Sequence, residues 1–260
     1  MPPWRRGVRG AFGCAAASTL ALSLAASQGQ ADDSPAAASW VTPEMVAGFR
    51  RAQEAQARGD ADAAPDKSED QWTSSRRMRR DLEEQLAGFA DNLTVLEVGS
   101  YFGYTTRLLS QYFQRVIALD AVPQFLQANR EFNADRSNIV YLRLNTLTDD
   151  WSVFAQNVIH VVFLDASHDF ETVVNDIDNV LRLGTVSLVI FDDYGAEEGV
   201  RQAVHVFVAR GYLRPVAFLG EGADGRPWKL RDGREVSERE AVACEVVRPA
   251  PGGDGSSARL

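Results

Sequence analysis

At 260 residues and 45% apolar content, the chain is long enough for one full domain with extensions and a sizeable core. Two cysteines, Cys14 and Cys244, exclude a disulfide scaffold and a CxxC metal knuckle. The formal charge of −9 and the thin spread of 27 basic residues argue against nucleic-acid binding. The densest basic run, RRMRR at 76–80, is followed at once by Asp81, Glu83 and Glu84 and reads as a solvated helix face.

Residues 1–31 contain no acid, and Arg5, Arg6 and Arg9 precede the apolar stretch 11–27. This composition fits a cleavable targeting segment, either a secretory signal or an organelle transit peptide. The stretch is too short and too rich in Ala and Ser for a membrane span, so no stable span is expected in the mature form. Residues 32–70 read as a polar, largely flexible extension with one helix from Pro43, capped by Thr42. Within it, GDADAAPDKSED at 59–70 has the composition of a linker.

From residue 71 the pattern changes. Ser74 is expected to cap a helix whose Met78, Leu82, Leu86 and Phe89 share one face. Strands are expected at 94–99, 115–120, 138–144, 159–165 and 186–192, with helices near 104–113, 122–133, 169–182 and 197–210. Segments 214–220 and 240–247 read as a terminal antiparallel pair, and 249–260 as a disordered tail. Repeating β–α units imply a parallel sheet with helices on both faces. The expected fold is thus one doubly wound, mainly parallel α/β domain over 71–248.

In such sheets ligands bind outside the carboxyl ends of the strands, near the topological switch point. The first strand leaves through EVGSYFGYTTR, where Gly99 and Gly103 let backbone N–H groups approach a ligand. The spacing is not the GxGxxG of a pyrophosphate-binding turn, which makes a nicotinamide-dependent oxidoreductase a poorer fit. Asp120 ends the second strand, where a carboxylate can accept bonds from two ribose hydroxyls. Asp165 ends the fourth strand and the adjacent Asp192 and Asp193 end the fifth. If those strands are neighbours, their ends lie about 5 Å apart. Three converging carboxylates repel one another, and a hard divalent cation with oxygen ligands, such as Mg²⁺, relieves that repulsion. The alternative is that each acid serves a turn or a helix cap. His168, at the start of the next helix, is a candidate base or a capping residue. His160 and His205 read as structural. Trp72 and Thr73 could close over a cofactor, and Trp151 either borders it or fills the core.

TVLEVGSYFGYTT, VIALD, VVFLDASHDFE and VIFDDYG together resemble class I S-adenosylmethionine-dependent methyltransferases over about 71–248. The nearest resemblance is to metal-dependent O-methyltransferases of the catechol and caffeoyl-CoA type, and to macrocin-type sugar O-methyltransferases. It implies a Rossmann-like, seven-stranded fold with a terminal antiparallel pair. It places Glu97, Gly99, Ser100, Tyr101 and Gly103 around the methionine end of S-adenosylmethionine, Asp120 at the ribose and Asn145 near the adenine, with Asp165 bordering the cofactor. It assigns Asp165, Asp192 and Asp193 to the metal, and puts His168 where catechol-type enzymes carry a lysine base. The implied reaction is methyl transfer to a hydroxyl of a small molecule. A metal-independent N- or carboxyl-methyltransferase and a non-catalytic cofactor-binding protein stay open. Because S-adenosylmethionine is scarce outside cells, a mitochondrial or plastid destination is favoured over secretion. The sequence leaves the acceptor and the oligomeric state undetermined.

Overall fold

The computed structural model describes residues 41–60, 63–88, 90–222, 225–230 and 232–248. The targeting-like segment, the tail beyond residue 248 and Phe89 lie outside the described residues. Chain contacts divide at Pro65/Asp66 into two compact units. In the first, helix α1 spans Pro43–Ala57, and the Thr42 hydroxyl accepts the Met45 N–H at 3.2 Å. Pro43 opens that helix where its missing N–H costs nothing.

The second unit begins with α2 (Arg76–Leu86) and continues through alternating elements. These are β1 (Thr94–Val98), α3 (Tyr104–Tyr112), β2 (Arg115–Asp120), α4 (Pro123–Phe132), β3 (Ile139–Arg143), β4 (Val161–Leu164), α5 (Phe170–Arg182), β5 (Leu188–Phe191) and α6 (Glu198–Ala209). The chain closes with β6 (Leu213–Leu219), a short hairpin of β7 (Trp228–Lys229) and β8 (Glu235–Val236), and β9 (Ala241–Val246). The seven-stranded sheet has the order β3-β2-β1-β4-β5-β9-β6, with β9 antiparallel to both its neighbours. The expected terminal pair is therefore present, with β9 inserted between β5 and β6.

The central strands are nearly continuous apolar runs because helices cover both faces of the sheet. Val173, Ile177 and Val180 of α5 join Val200, Val204 and Phe207 of α6 in the main core cluster. The 3.6-residue stripe seen in the sequence is what this face requires.

Topology then fixes the position of the site. Strand β1 pairs with β2 on one side and β4 on the other, so the winding reverses between β1 and β4. In the β4–β5 register Leu164 faces Phe191, so Asp165 and Asp192 leave adjacent strands at one level.

Two local expectations differ from the structure. Ser75, not Ser74, caps α2: its hydroxyl accepts the Met78 N–H at 3.0 Å. The Ser74 hydroxyl lies instead 3.4 Å from that of Thr105, and its carbonyl accepts from Arg79. Residues 66–70, linker-like in composition, are folded, with Lys67 and Asp70 buried and the Asp66 carbonyl accepting the N–H groups of Glu69 and Asp70. Their charges find partners that composition alone does not reveal.

Candidate active site at the carboxyl ends of the strands

The glycine turn after β1 is shaped by close approaches. Gly99 has φ +84°, and a Cβ there would stand 2.0 Å from the Asp165 carbonyl oxygen. Gly103, with φ +88°, opens α3 where a Cβ would meet Asn129 Oδ1 at 2.3 Å. Between them Tyr101 has φ 45°, a left-handed conformation that costs an L-residue about 1–2 kcal/mol. Asp120 holds the turn in place. Its Oδ2 accepts the N–H groups of Ser100 at 3.1 Å and Tyr101 at 3.0 Å, and its Oδ1 accepts that of Val122 at 2.9 Å. Burial pushes the Asp120 carboxyl up, against the pull of these N–H donors. A ribose contact at Asp120 would thus draw on oxygens that already shape the turn.

Glu97 lies beneath the turn, fully buried, and accepts the Thr106 hydroxyl at 2.5 Å. Thr106 in turn accepts from the Asn129 amide at 2.8 Å, which links β1, α3 and α4. Burial pushes the Glu97 carboxyl well above its ordinary range. The structure therefore places it as a strut under the turn. Ser100 is buried too, whereas Asn145 is exposed beyond β3, its Oδ1 accepting the Leu147 N–H at 3.1 Å. Trp151 takes the core role, edge-on to Phe154 at 5.5 Å. Trp72 is exposed and Thr73 buried. His160 accepts the Thr94 N–H at 3.0 Å through Nδ1, and His205 Nε2 lies 2.9 Å from the Tyr194 hydroxyl.

The acids after β4 and β5 do come together, with a cation that the sequence reading did not anticipate. The buried Lys67 ammonium lies 2.7 Å from Asp193 Oδ1, 3.8 Å from Asp192 Oδ1 and 3.7 Å from Glu240 Oε1. Burial pulls the Lys67 amine down, but Asp192, Asp193, Glu240 and Asp165 together hold it well above its usual value. Asp192 is almost fully enclosed; its Oδ1 accepts the Asp193 N–H at 2.8 Å, and its Oδ2 has no hydrogen-bond partner among the described residues. Burial pushes the Asp192 carboxyl up, with Asp165, Asp193 and Glu240 adding to the effect against Lys67. Asp193 behaves oppositely: burial raises it, yet Lys67 and His168 hold it below the ordinary carboxylate value. Glu240 accepts from the Ser75 N–H at 2.8 Å, the Ser75 hydroxyl and the Glu221 N–H at 3.0 Å. No periodicity or motif in the sequence marks Lys67, Ser75 or Glu240 for this site. The one available signal was rarity, since Lys67 is one of only two lysines, the other being Lys229.

His168 stands on the open side of the same acids. Its Nε2 is buried, lies 3.3 Å from Asp193 Oδ2 and 3.8 Å from Asp165 Oδ1, and makes no hydrogen bond of good geometry among the described residues. Burial pulls the imidazole down, but Asp165 and Asp193 outweigh it and raise it above its ordinary value. The helix cap that His168 could have supplied comes from Asp169, whose carboxylate accepts the Thr172 N–H at 3.0 Å.

These positions decide which residues can receive a divalent cation. Ligand atoms of Asp165, His168 and Asp193 lie within 4.8 Å of one another. Asp192 is not in that group, because it is turned to the Asp193 backbone and to Lys67. Asp192 thus stands apart from the other two acids of the expected three. Two carboxylates and one imidazole form a donor set of the kind that transition-metal cations take, but the Lys67 ammonium already stands 2.7 Å from Asp193 Oδ1.

The family model described as a methyltransferase domain matches residues 96–194, from β1 through Asp192 and Asp193. Over residues 96–194 the chain is thus similar to a methyltransferase domain, which together with the fold supports an S-adenosylmethionine-dependent methyltransferase of class I. No curated protein matches the sequence. Among solved structures, a proposed caffeoyl-CoA O-methyltransferase from Staphylococcus aureus shares the fold at 12% identity and a TM-score of 0.50, covering 82% of this chain and 95% of that one. A proposed methyltransferase from Streptococcus mutans in complex with SAH shows 15% identity and a TM-score of 0.46, over 67% of this chain and 100% of that one. An rRNA methylase from Streptococcus thermophilus shows 12% identity and a TM-score of 0.46, over 68% and 99%.

Proposed function

We propose that the enzyme transfers the methyl group of S-adenosylmethionine to a hydroxyl of a small molecule, with His168 as the base. The observation that carries this reading is the His168 ring beside two carboxylates at the β4 end, next to the switch point. The negative charges of Asp193 and Asp165, 3.3 and 3.8 Å from Nε2, favour the ring proton on that nitrogen, which leaves Nδ1 to accept the proton of the acceptor hydroxyl. The oxygen forms a bond to the methyl carbon as the carbon–sulfur bond breaks, and the positive charge passes from sulfur to the imidazole. The two carboxylates stabilise the resulting imidazolium, as in other carboxylate–histidine pairs. The remaining task is alignment of oxygen, carbon and sulfur, which the strained turn at Gly99–Gly103 serves by holding the cofactor rigidly. A small acceptor is supported by the net charge of −9 and by the four acids at the site, which would repel a phosphate backbone.

A second reading is favoured by the grouping of Asp165, His168 and Asp193. There the three would hold a divalent cation, which supplies acidification of the bound hydroxyl, and His168 would be a ligand. A methylation screen over phenolics, catechols and sugar hydroxyls, run with and without chelator, separates the two. His168→Asn is expected to keep S-adenosylmethionine binding by calorimetry and to lower transfer by about 100-fold or more. Transfer abolished by chelation would favour the second reading, and absence of cofactor binding in the parent enzyme would overturn both.

A further inference from the structure

Lys67 reaches the site from a segment that the rest of the unit holds firmly. Asp66 Oδ1 accepts the Arg76 N–H at 2.6 Å, and Asp70 Oδ2 accepts the Tyr101 hydroxyl at 3.2 Å in the cofactor turn. At the far end Ser75 donates to Glu240 through both its N–H and its hydroxyl. Between these anchors the Lys67 ammonium contacts three carboxylates that are themselves at least nine-tenths buried. Buried carboxylates demand a counter-ion, and one enclosed ammonium already meets that demand.

We propose that Lys67 is a tethered cation that takes the place of a divalent metal ion at the Asp192–Asp193 pair and positions Asp193 against His168. This inference rests on the base reading of His168 given above. Asp193 divides its oxygens: Oδ1 faces Lys67 at 2.7 Å and Oδ2 faces His168 at 3.3 Å. Without the ammonium, Asp193 would be free to turn, and Asp192 would keep a buried, uncompensated charge. With it, a second cation brought to Asp193 meets like-charge repulsion a few ångströms away. Lys67 is accordingly a positioning residue, acting on the acceptor through Asp193 and His168.

The test is Mn²⁺ binding, measured by calorimetry and electron paramagnetic resonance on the full chain, for the parent, Lys67→Ala and Lys67→Arg. The parent and Lys67→Arg are expected to show no saturable site below about 1 mM Mn²⁺. Lys67→Ala is expected to gain one site at least about tenfold tighter, as three acids regain a need for a cation, and Lys67→Ala with Asp193→Asn is expected to lose it. A purely structural lysine would give no such gain. Should Lys67→Ala fail to fold, Lys67→Gln, which keeps the side-chain volume, carries the same expectation. A saturable Mn²⁺ site in the parent, or variants that fold and gain none, would overturn the proposal. S-adenosylmethionine affinity measured on the same samples keeps the outcomes apart, since its absence from the parent refutes methyl transfer itself whatever Mn²⁺ does.

Discussion

Replacing Gly99 by alanine tests whether the glycine turn after β1 and the β4 end are built as one piece. The added methyl would lie 2.0 Å from the Asp165 oxygen, 2.7 Å from its carbonyl carbon and 2.8 Å from Ala166 Cα, well inside the 3.4–4 Å of ordinary contact. All three are backbone atoms, so no side-chain rotation relieves the clash. The positive φ costs about 1–2 kcal/mol and the overpacking about 1–3 kcal/mol, a sum of roughly 2–5 kcal/mol. For a unit of this size each kcal/mol lowers Tm by about 2–4 °C, so the melt should fall by roughly 4–20 °C. Gly184→Ala is the control. Its φ is +72°, but the nearest atom to a new Cβ is 3.9 Å away, so only the backbone cost of about 1–2 kcal/mol applies. Relief of the clash must move Asp165 away from Val98, with loss of the register that seats it beside His168. S-adenosylmethionine affinity, read by calorimetry, should therefore drop at least about tenfold in Gly99→Ala and stay unchanged in Gly184→Ala. Equal melting shifts in the two variants, with equal affinities, would refute the reasoning.

Asp120→Asn replaces an acceptor oxygen by an amide donor facing backbone N–H groups. It should weaken S-adenosylmethionine binding about tenfold and destabilise by about 1–3 kcal/mol; unaltered affinity would show that Asp120 and the glycine turn take no part in binding the cofactor. Asp176 is buried on α5, its Oδ1 without a hydrogen-bond partner among the described residues, and burial pushes its carboxyl up to about 6. Because the folded value exceeds the unfolded one, the penalty is absent below the ordinary Asp range, grows as pH rises, and is complete above about 6. Asp176→Asn should therefore be more stable than the parent by on the order of 2 kcal/mol at pH 8 and equal to it near pH 4, which thermal melts at both values check. A gain of the same size at both would sink the assignment.

Much of the fold is legible in the sequence because it is a matter of local period. The apolar runs ending at Asp120, Asp165 and Asp192, and the stripe of Val173, Ile177 and Val180, follow from burial on one or two faces of a repeating backbone. The same periodicity marks the strand ends, and hence Gly99, Asp120, Asp165, His168 and Asp193 as the residues to inspect. Partner choice is not periodic. Lys67 lies in a stretch whose composition is that of a linker, and only the folded chain sets it against Asp192, Asp193 and Glu240. Ligand atoms of Asp165, His168 and Asp193 come within 4.8 Å of one another, while Asp192 turns back to a neighbouring N–H. The cap of α2 moves from Ser74 to Ser75 because Glu240, far along the chain, accepts from Ser75. Hydrophobic order is set by near neighbours in sequence, and so it can be read from them. Charge compensation in a buried site is settled by whichever groups the tertiary fold brings within a few ångströms, and a one-dimensional pattern does not carry that distance.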